Sequence, residues 1–158
     1  MDIWLLRHAV AEEVSASGRD ADRGLTPDGL RRAERVARGL AALEPSIDLV
    51  LTSPYRRARQ TAEPAARALG LARQFRDSGA LEPGRDPREV LDEVRAEEAA
   101  GVLLVGHEPH LGALLGILVA EGRAVLPLKK AAVAWVVLEA GAGTLKALLP
   151  ARVLERIR

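Results

Sequence analysis

The chain has 158 residues, the length of one ordinary domain, so a single hydrophobic core is expected. Its 48% of hydrophobic and 28% of charged residues exclude a disordered chain, and its apolar runs are too short for a membrane-spanning protein. A net charge of +1 excludes a global basic field for binding nucleic acid or a membrane. The lack of cysteine in the sequence excludes disulfides, a thiol nucleophile and cysteine-ligated metal centres.

The first element in chain order is a short apolar run at Ile3–Leu6. Such a run predicts a strand that is buried on both faces, as in a parallel sheet. Charge interrupts the run at Arg7, so it is too short for a signal peptide and we expect a cytoplasmic protein. Two runs of the same kind, Leu49–Leu51 and Val102–Val105, predict two further buried strands.

Helical periodicity fills the segments between these strands. One helix is expected to begin at Pro27, with Thr26 as its N-cap. Its predicted apolar face consists of Leu30, Ala33, Ala37, Leu40 and Leu43. By the same logic a second helix begins at Ser53-Pro54 and ends at Gly70. Its predicted apolar face consists of Tyr55, Ala58, Ala62, Ala65 and Leu69.

The second half of the chain repeats the alternation. A third helix is expected to begin at Asp86-Pro87, where Glu89 would complete a capping box with Asp86. It would bury Val90, Leu91 and Val94. A fourth helix begins near Pro109, and residues 131–138 and 144–149 predict two final strands.

Strands that alternate with helices favour one three-layer α/β/α domain over residues 1–158, with a mostly parallel central sheet. No linker, repeat or low-complexity tract divides the chain. The stretch from Gly70 to Arg85 is the one long irregular segment, and it is too short for a second domain. We expect it to hold a short strand at Arg73–Arg76 and a loop at the edge of the cleft.

Basic side chains and histidines follow the predicted strands at one edge of the sheet. They are Arg7 and His8 after the first strand, Arg57 after the second and His107 after the Val102–Val105 strand. Ligands of open parallel sheets bind beyond the carboxyl ends of the strands, where these side chains should meet. Each alone would more often be a boundary histidine or a surface charge. Together they would repel one another unless an anion lies among them, and a phosphoryl group meets that need.

An imidazole is the natural nucleophile of such a site, because neutral histidine attacks at neutral pH without a separate base. His8 suits this role because it lies between Arg7 and the start of a loop. His107 would then donate a hydrogen bond to the transferring phosphoryl group. The sequence does not define which ring nitrogen of His8 attacks.

Three other features carry weaker alternatives. His107 and His110 flank a proline at a helix start and lack further ligands, so we expect no metal. The basic run 56–59 lacks the aromatic side chains that stack on bases, so we expect no nucleic-acid partner, and no membrane partner either. Lys129 and Lys130 predict a turn, with a place on the rim of the cleft as the alternative.

Four motifs in chain order resemble those of the histidine phosphatase superfamily, which includes the cofactor-dependent phosphoglycerate mutases. They are LRHA at 6–9, RGLTPDG at 23–29, TSPYRRARQTA at 52–62 and VGHEP at 105–109. The small size of the chain and its RHA and GHEPH sequences resemble in particular the SixA-type phosphohistidine phosphatases, which lack an inserted lid domain. The resemblance covers most of the chain, from Ile3 to about Leu118.

This resemblance implies a phosphoglycerate-mutase-like fold with no lid insertion. It also implies a phosphate pocket formed by Arg7, His8, Arg57 and His107, in which His8 is phosphorylated. Arg57 is preferred to Arg56 because it directly precedes the alanine of the Arg-Ala-x-x-Thr pattern.

Two further residues are candidates by the same resemblance. Arg23 would contact the phosphate, with a surface-loop charge as the alternative. Members of the superfamily usually have an acidic residue that protonates the leaving group, and Glu82 is the only carboxylate near the expected place. The imidazole leaving group of phosphohistidine can already be protonated. Because the sequence has no clear equivalent of the superfamily's acidic residue, phosphohistidine is favoured over sugar phosphates as the substrate.

The sequence therefore predicts a metal-independent phosphatase without a cofactor, which hydrolyses phosphohistidine on a protein through an intermediate on His8. One alternative is a broad small-molecule phosphomonoesterase of the same superfamily that uses Glu82 as its general acid. A second alternative is a phospho-ligand-binding module without turnover. The expected partner is a phosphorylated protein, for example a histidine-phosphotransfer domain, or a small phosphorylated molecule.

Overall fold

A six-stranded mixed sheet forms the middle layer of the protein in the computed structural model, which describes residues 1–157. The strands are β1 (Asp2–Arg7), β2 (Leu49–Thr52), β3 (Phe75–Asp77), β4 (Gly101–Gly106), β5 (Val133–Glu139) and β6 (Ala142–Leu149). The helices are α1 (Pro27–Ala41), α2 (Arg56–Ala68), α3 (Pro87–Arg95), α4 (His110–Ala120) and α5 (Ala151–Leu154). Two single 3₁₀ turns cover residues 20–22 and 79–81.

The strand order is β3-β2-β4-β1-β5-β6. The first four strands in the chain pair in parallel, as their continuous apolar character predicts. β5 runs antiparallel to β1, and β6 runs antiparallel to β5. The two residues between β5 and β6, Ala140 and Gly141, both have positive φ, which suits a tight hairpin turn. The sheet is therefore mixed, with a parallel half and an antiparallel hairpin at one edge.

Alternate residues of the strands face two separate cores, because successive side chains point to opposite faces of a sheet. Trp4 and Leu6 of β1 pack with α1, α2 and α5, whereas Ile3 and Leu5 pack with α3 and α4. This arrangement confirms the three-layer architecture. Within residues 1–157 no helix combines the length and apolar character needed to cross a membrane.

Two predicted helix details are wrong. Leu30 and Leu43 are 41% and 39% exposed, because the buried face of α1 runs through Ala33, Val36 and Leu40 and the helix ends at Ala41. The predicted capping box of α3 does not form. Asp86 caps the helix through the backbone N–H of Arg88, and the Glu89 carboxylate pairs with Arg85.

Two element boundaries also differ from the predictions. α2 begins at Arg56 instead of Ser53-Pro54, because residues 53–55 form the turn that follows β2. The short strand in the irregular segment is Phe75–Asp77, and it pairs with β2 at the edge of the sheet. The predicted N-cap of α1 is confirmed, since the Thr26 hydroxyl accepts the backbone N–H of Gly29 at 3.0 Å.

Candidate active site

The two histidines of the site are brought together by the register of β1 and β4. These parallel strands pair Arg7 with Gly106, so the next residue of each strand, His8 and His107, leaves the sheet at the same edge. Their ring centroids are 5.1 Å apart, and both side chains are buried, with 7% and 2% of their surface exposed. The predicted meeting of the two histidines is thus found in the structure.

The turn after β2 positions His107. Ser53 follows the last residue of β2, and its Oγ lies 2.8 Å from Nε2 of His107. The same Oγ accepts the backbone N–H of Tyr55 at 3.3 Å. The Tyr55 and His107 rings pack in a T-shaped arrangement, with centroids 5.3 Å apart. Within the described residues the buried Nδ1 of His107 has no hydrogen-bond partner.

The α2 helix provides a buried guanidinium at the site. Arg57 lies in the first turn of α2, only 5% exposed, with its guanidinium over the Tyr55 ring. Two of its nitrogens bond to Asp20, Nη1 to the backbone oxygen at 2.8 Å and Nη2 to the carboxylate at 3.0 Å. Asp20 belongs to an excursion between β1 and α1 that a bridge between Ala11 and Leu25 closes at its base. Asp20 therefore occupies both terminal nitrogens of Arg57, one with its backbone carbonyl and one with its carboxylate.

Arg7 approaches the site from the other direction, next to the loop that precedes β5. Its Nη1 donates to the Leu128 carbonyl at 2.8 Å. Glu108 holds the same residue, since its carboxylate accepts the Leu128 N–H at 2.9 Å. The loop residue Leu128 thus links Arg7, the last residue of β1, to Glu108, which follows β4.

Backbone contacts define the tautomer of His8. Its Nδ1 lies 2.7 Å from the Ala9 carbonyl oxygen, which can only accept, so Nδ1 carries the hydrogen and Nε2 holds a lone pair. Thr61 fixes the Ala9 peptide, because its Oγ accepts the Ala9 N–H at 3.1 Å while it donates to the Arg57 carbonyl at 2.8 Å. The Thr61 hydroxyl thus connects the backbone next to His8 with the backbone of Arg57 in α2.

Both histidines are neutral at neutral pH. Burial lowers the pKa of His8 to about 4, and the nearby positive charges of Arg57, Arg7 and Lys130 act in the same direction. Burial also lowers the pKa of His107 to about 3, assisted by the neighbouring His8 and Arg57. A neutral ring with a free lone pair is the state in which histidine acts as a nucleophile.

This protonation state predicts the acidic limb of the pH–rate profile. For His8 as the nucleophile predicted from the sequence, protonation of Nε2 removes the attacking lone pair, so activity should fall as pH drops through the pKa of His8. Because that pKa is about 4 instead of 6.5, kcat/KM for an aryl phosphate, corrected for ionisation of the substrate, should stay level well below neutral pH. Steady-state rates between neutral pH and pH 4 check this expectation, with circular dichroism at each pH to verify folding. An inflection near pH 6.5 would contradict it.

The two further candidates lie at the margin of the cluster. Arg23 donates to the Glu12 carbonyl at 2.7 Å and to the Asp20 carboxylate at 2.7 Å, so it shares one carboxylate with Arg57. Glu82 follows the 3₁₀ turn at 79–81 and lines a cavity of about 540 Å³ beside Tyr55. Its carboxylate bonds to no side chain within residues 1–157.

Sequence reasoning missed the contributions of Asp20, Ser53 and Thr61. Ser53 and Thr61 lie in the TSPYRRARQTA motif at 52–62. Their polar side chains within that motif were the signal that could have identified them. Asp20 lies three residues before Arg23 and had no signal of its own. Within the described part of the chain, no three His, Asp or Glu side chains are grouped as a metal ion would require.

Comparisons with known proteins agree with this geometry. The family model described as "Histidine phosphatase superfamily (branch 1)" matches residues 3–78. The phosphohistidine phosphatase SixA of Escherichia coli is 34% identical over 124 residues, which cover 77% of this chain and 73% of that protein. The structure of the protein histidine phosphatase SixA complexed with tungstate has a TM-score of 0.87 and 29% identity, and covers 96% of this chain and 98% of its own. A phosphoglycerate mutase from Bacillus anthracis shares the fold, with a TM-score of 0.76 at 13% identity and coverage of 98% and 95%.

Proposed function

Since this chain belongs to the histidine phosphatase superfamily and is a phosphatase, we propose that its substrate is phosphohistidine carried on a protein and that His8 forms the covalent intermediate. The observation that carries the proposal is the free lone pair on Nε2 of a neutral, buried His8, beside His107 and two arginines. The name of the Escherichia coli relative supports the substrate class. A cytoplasmic location stays a prediction from the sequence.

In the first half-reaction, Nε2 of His8 attacks phosphorus. A bond forms between Nε2 and phosphorus, the substrate's P–N bond breaks, and its electron pair goes to the leaving imidazole nitrogen. The His8 ring becomes positively charged in this step, and the Ala9 carbonyl that accepts Nδ1–H stabilises that charge. Arg7 and Arg57 neutralise the phosphoryl oxygens, for which Arg57 must exchange its contact with Asp20.

His107 has the role of a neutral donor in this mechanism. When Ser53 donates its hydroxyl hydrogen to Nε2, the remaining ring hydrogen lies on Nδ1, the nitrogen without a partner among the described residues. Nδ1–H then donates to a phosphoryl oxygen. In the second half-reaction water attacks phosphorus, the bond to His8 breaks, and its electron pair returns to Nε2. The oxygen and both hydrogens of the water leave in the dihydrogen phosphate product, and His8 is neutral again.

The leaving group favours phosphohistidine over alkyl esters. An alkoxide needs a proton as it departs, whereas a protonated imidazole leaves as a neutral molecule. Asp20 cannot be the proton donor, because hydrogen bonds from Arg23 and Arg57 keep its pKa below the usual range and the carboxyl ionised. The alternative of a binding module without turnover is set aside because the chain is a phosphatase.

A substrate panel with a Glu82→Gln variant tests the substrate class. We expect the wild type to hydrolyse a phosphohistidine protein much faster than an alkyl phosphate, and the substitution to change phosphohistidine turnover only slightly, because this leaving group needs no external acid. The measurement is kcat/KM for phosphohistidine, aryl phosphate and alkyl phosphate. General acids contribute roughly a hundredfold to ten-thousandfold. Fast alkyl phosphate hydrolysis that collapses in Glu82→Gln would establish the small-molecule phosphatase instead.

A further inference from the structure

Two cavities border the site, and their charges differ. The cavity of about 540 Å³ beside Tyr55 has balanced charge, since it is lined by Arg19, Arg56, Arg59, Asp22, Glu63 and Glu82. The second cavity, of about 680 Å³, shares Arg7 with the site and is called the basic groove below. Its charged lining residues are Arg7, Arg32, Lys129, Lys130 and Arg152, with no carboxylate among them.

Most cations of the basic groove are not neutralised internally. Lys129, Lys130 and Arg152 are exposed and form no ion pair with any residue in 1–157, whereas Arg32 pairs with Glu155 at 3.0 Å. The charge of Lys130 is close enough to His8 to contribute to lowering the pKa of that histidine. Unpaired like charges beside a cationic centre raise the free energy of the folded protein, and a bound anionic surface would remove that cost.

The basic groove extends well beyond what one phosphoryl group needs. Arg7 contacts both the site and the groove, while Arg152 belongs to α5 and Lys129 to the loop before β5. Val10, Pro127 and Leu148 add apolar surface between these cations. No aromatic side chain lines the groove, so it lacks the platform on which nucleic-acid bases stack.

We infer that the basic groove binds an acidic protein surface next to the phosphorylated histidine of the substrate. This inference rests on the proposed function and adds the chemical character of the partner and the side of the site on which it binds. Carboxylates of the partner would pair with Lys129, Lys130 and Arg152 while its phosphoryl group reaches Arg7 and His8. Such complementarity raises association rate and specificity most strongly at low ionic strength.

Three synthetic peptides test the inference, each with one chemically phosphorylated histidine flanked by glutamate, glutamine or lysine. At low ionic strength, wild-type kcat/KM should be about tenfold higher for the glutamate peptide than for the glutamine peptide, and lowest for the lysine peptide. The preference should disappear in high salt, because screening removes long-range attraction. Turnover of an aryl phosphate, which has no carboxylates to pair with Lys129, Lys130 or Arg152, serves as the reference.

Charge-reversal variants test whether the preference for the glutamate peptide arises in the basic groove. The Lys129→Glu/Arg152→Glu variant should invert the order of the glutamate and lysine peptides while aryl phosphate turnover stays unchanged. Arg95→Glu/Arg123→Glu makes the same change in net charge on exposed arginines that do not line the groove, and it should keep the wild-type preference. Equal rates for the glutamate and glutamine peptides, or a preference that survives the groove reversal, would overturn the inference.

Two further results would exclude an acidic protein partner for other reasons. Inhibition of aryl phosphate turnover by a single-stranded oligonucleotide at lower concentration than by polyglutamate would overturn the inference in favour of a nucleic-acid surface. Hydrolysis of aryl phosphate but of none of the three peptides would refute the proposed function and, with it, the assignment of the groove.

Discussion

The His8→Ala variant is expected to have no measurable turnover, because it removes the only atom placed to form a covalent phosphoryl intermediate in the proposed mechanism. With labelled substrate, the wild-type protein quenched during turnover should carry label that survives alkali and is lost in warm acid, as phosphoramidates are. His8→Ala should carry none. The measurement is label on the denatured protein together with steady-state rates, and a melting curve verifies that the variant folds.

A matched control uses the third histidine. His110 is buried at the start of α4, and burial lowers its pKa as it does for the other two, but it contacts neither His8 nor Arg57 through a hydrogen bond. His110→Gln should therefore keep the labelled intermediate. Near-wild-type activity of His8→Ala, or label that depends on His110, would refute the assignment of the nucleophile.

Arg57→Ala and Arg7→Ala are expected to lower kcat/KM by about a hundredfold or more, corresponding to about 2–4 kcal/mol of transition-state stabilisation. The loss arises because a guanidinium fork neutralises charge on the phosphoryl oxygens through two hydrogen bonds. In Arg57→Ala the Asp20 carboxylate loses one partner and its negative charge remains near the site, which adds repulsion. Arg57→Lys should recover only part of the activity, since an ammonium lacks the planar fork.

The neighbouring residue provides the matched control for this second prediction. Arg56 directly precedes Arg57 but is exposed, whereas Arg57 is buried against Tyr55. Arg56→Ala should therefore reduce kcat/KM much less than Arg57→Ala. A larger loss of kcat/KM in Arg56→Ala than in Arg57→Ala would show that Arg56, and not Arg57, belongs to the phosphate pocket.

The sequence predicted the fold well because its signals were local and repeated. Short apolar runs marked β1, β2 and β4, and the caps of α1 and α3 were placed by Thr26 and Asp86. Antiparallel pairing of β5 with β1 was not predicted, because the direction in which β5 enters the sheet depends on the path of the chain between α4 and β5, which no local sequence pattern reports. Exposure of Leu30 was missed because hydrophobicity alone does not say which side of α1 meets α2.

Prediction of the site depended on where strands end. His8 and His107 could be predicted to lie together because the residues that follow two paired parallel strands leave the sheet at the same edge. Asp20 could not be placed, because its contact with Arg57 spans 37 positions and depends on the path of an irregular excursion. The tautomer of His8 depended on the direction of one carbonyl, that of Ala9, which no sequence pattern reports.

The contact between Asp20 and Arg57 has a consequence for product inhibition. Any anion that engages both nitrogens of the Arg57 guanidinium must first displace Asp20, which accepts one hydrogen bond there through its backbone carbonyl and one through its carboxylate. Its apparent affinity is therefore reduced by the fraction of molecules in which Asp20 has moved away. Inorganic phosphate has only its own charge to offset this loss of affinity, whereas the inferred phosphorylated partner would gain further contacts in the basic groove. An internal competitor of this kind favours release of the phosphate product and weakens inhibition by inorganic phosphate.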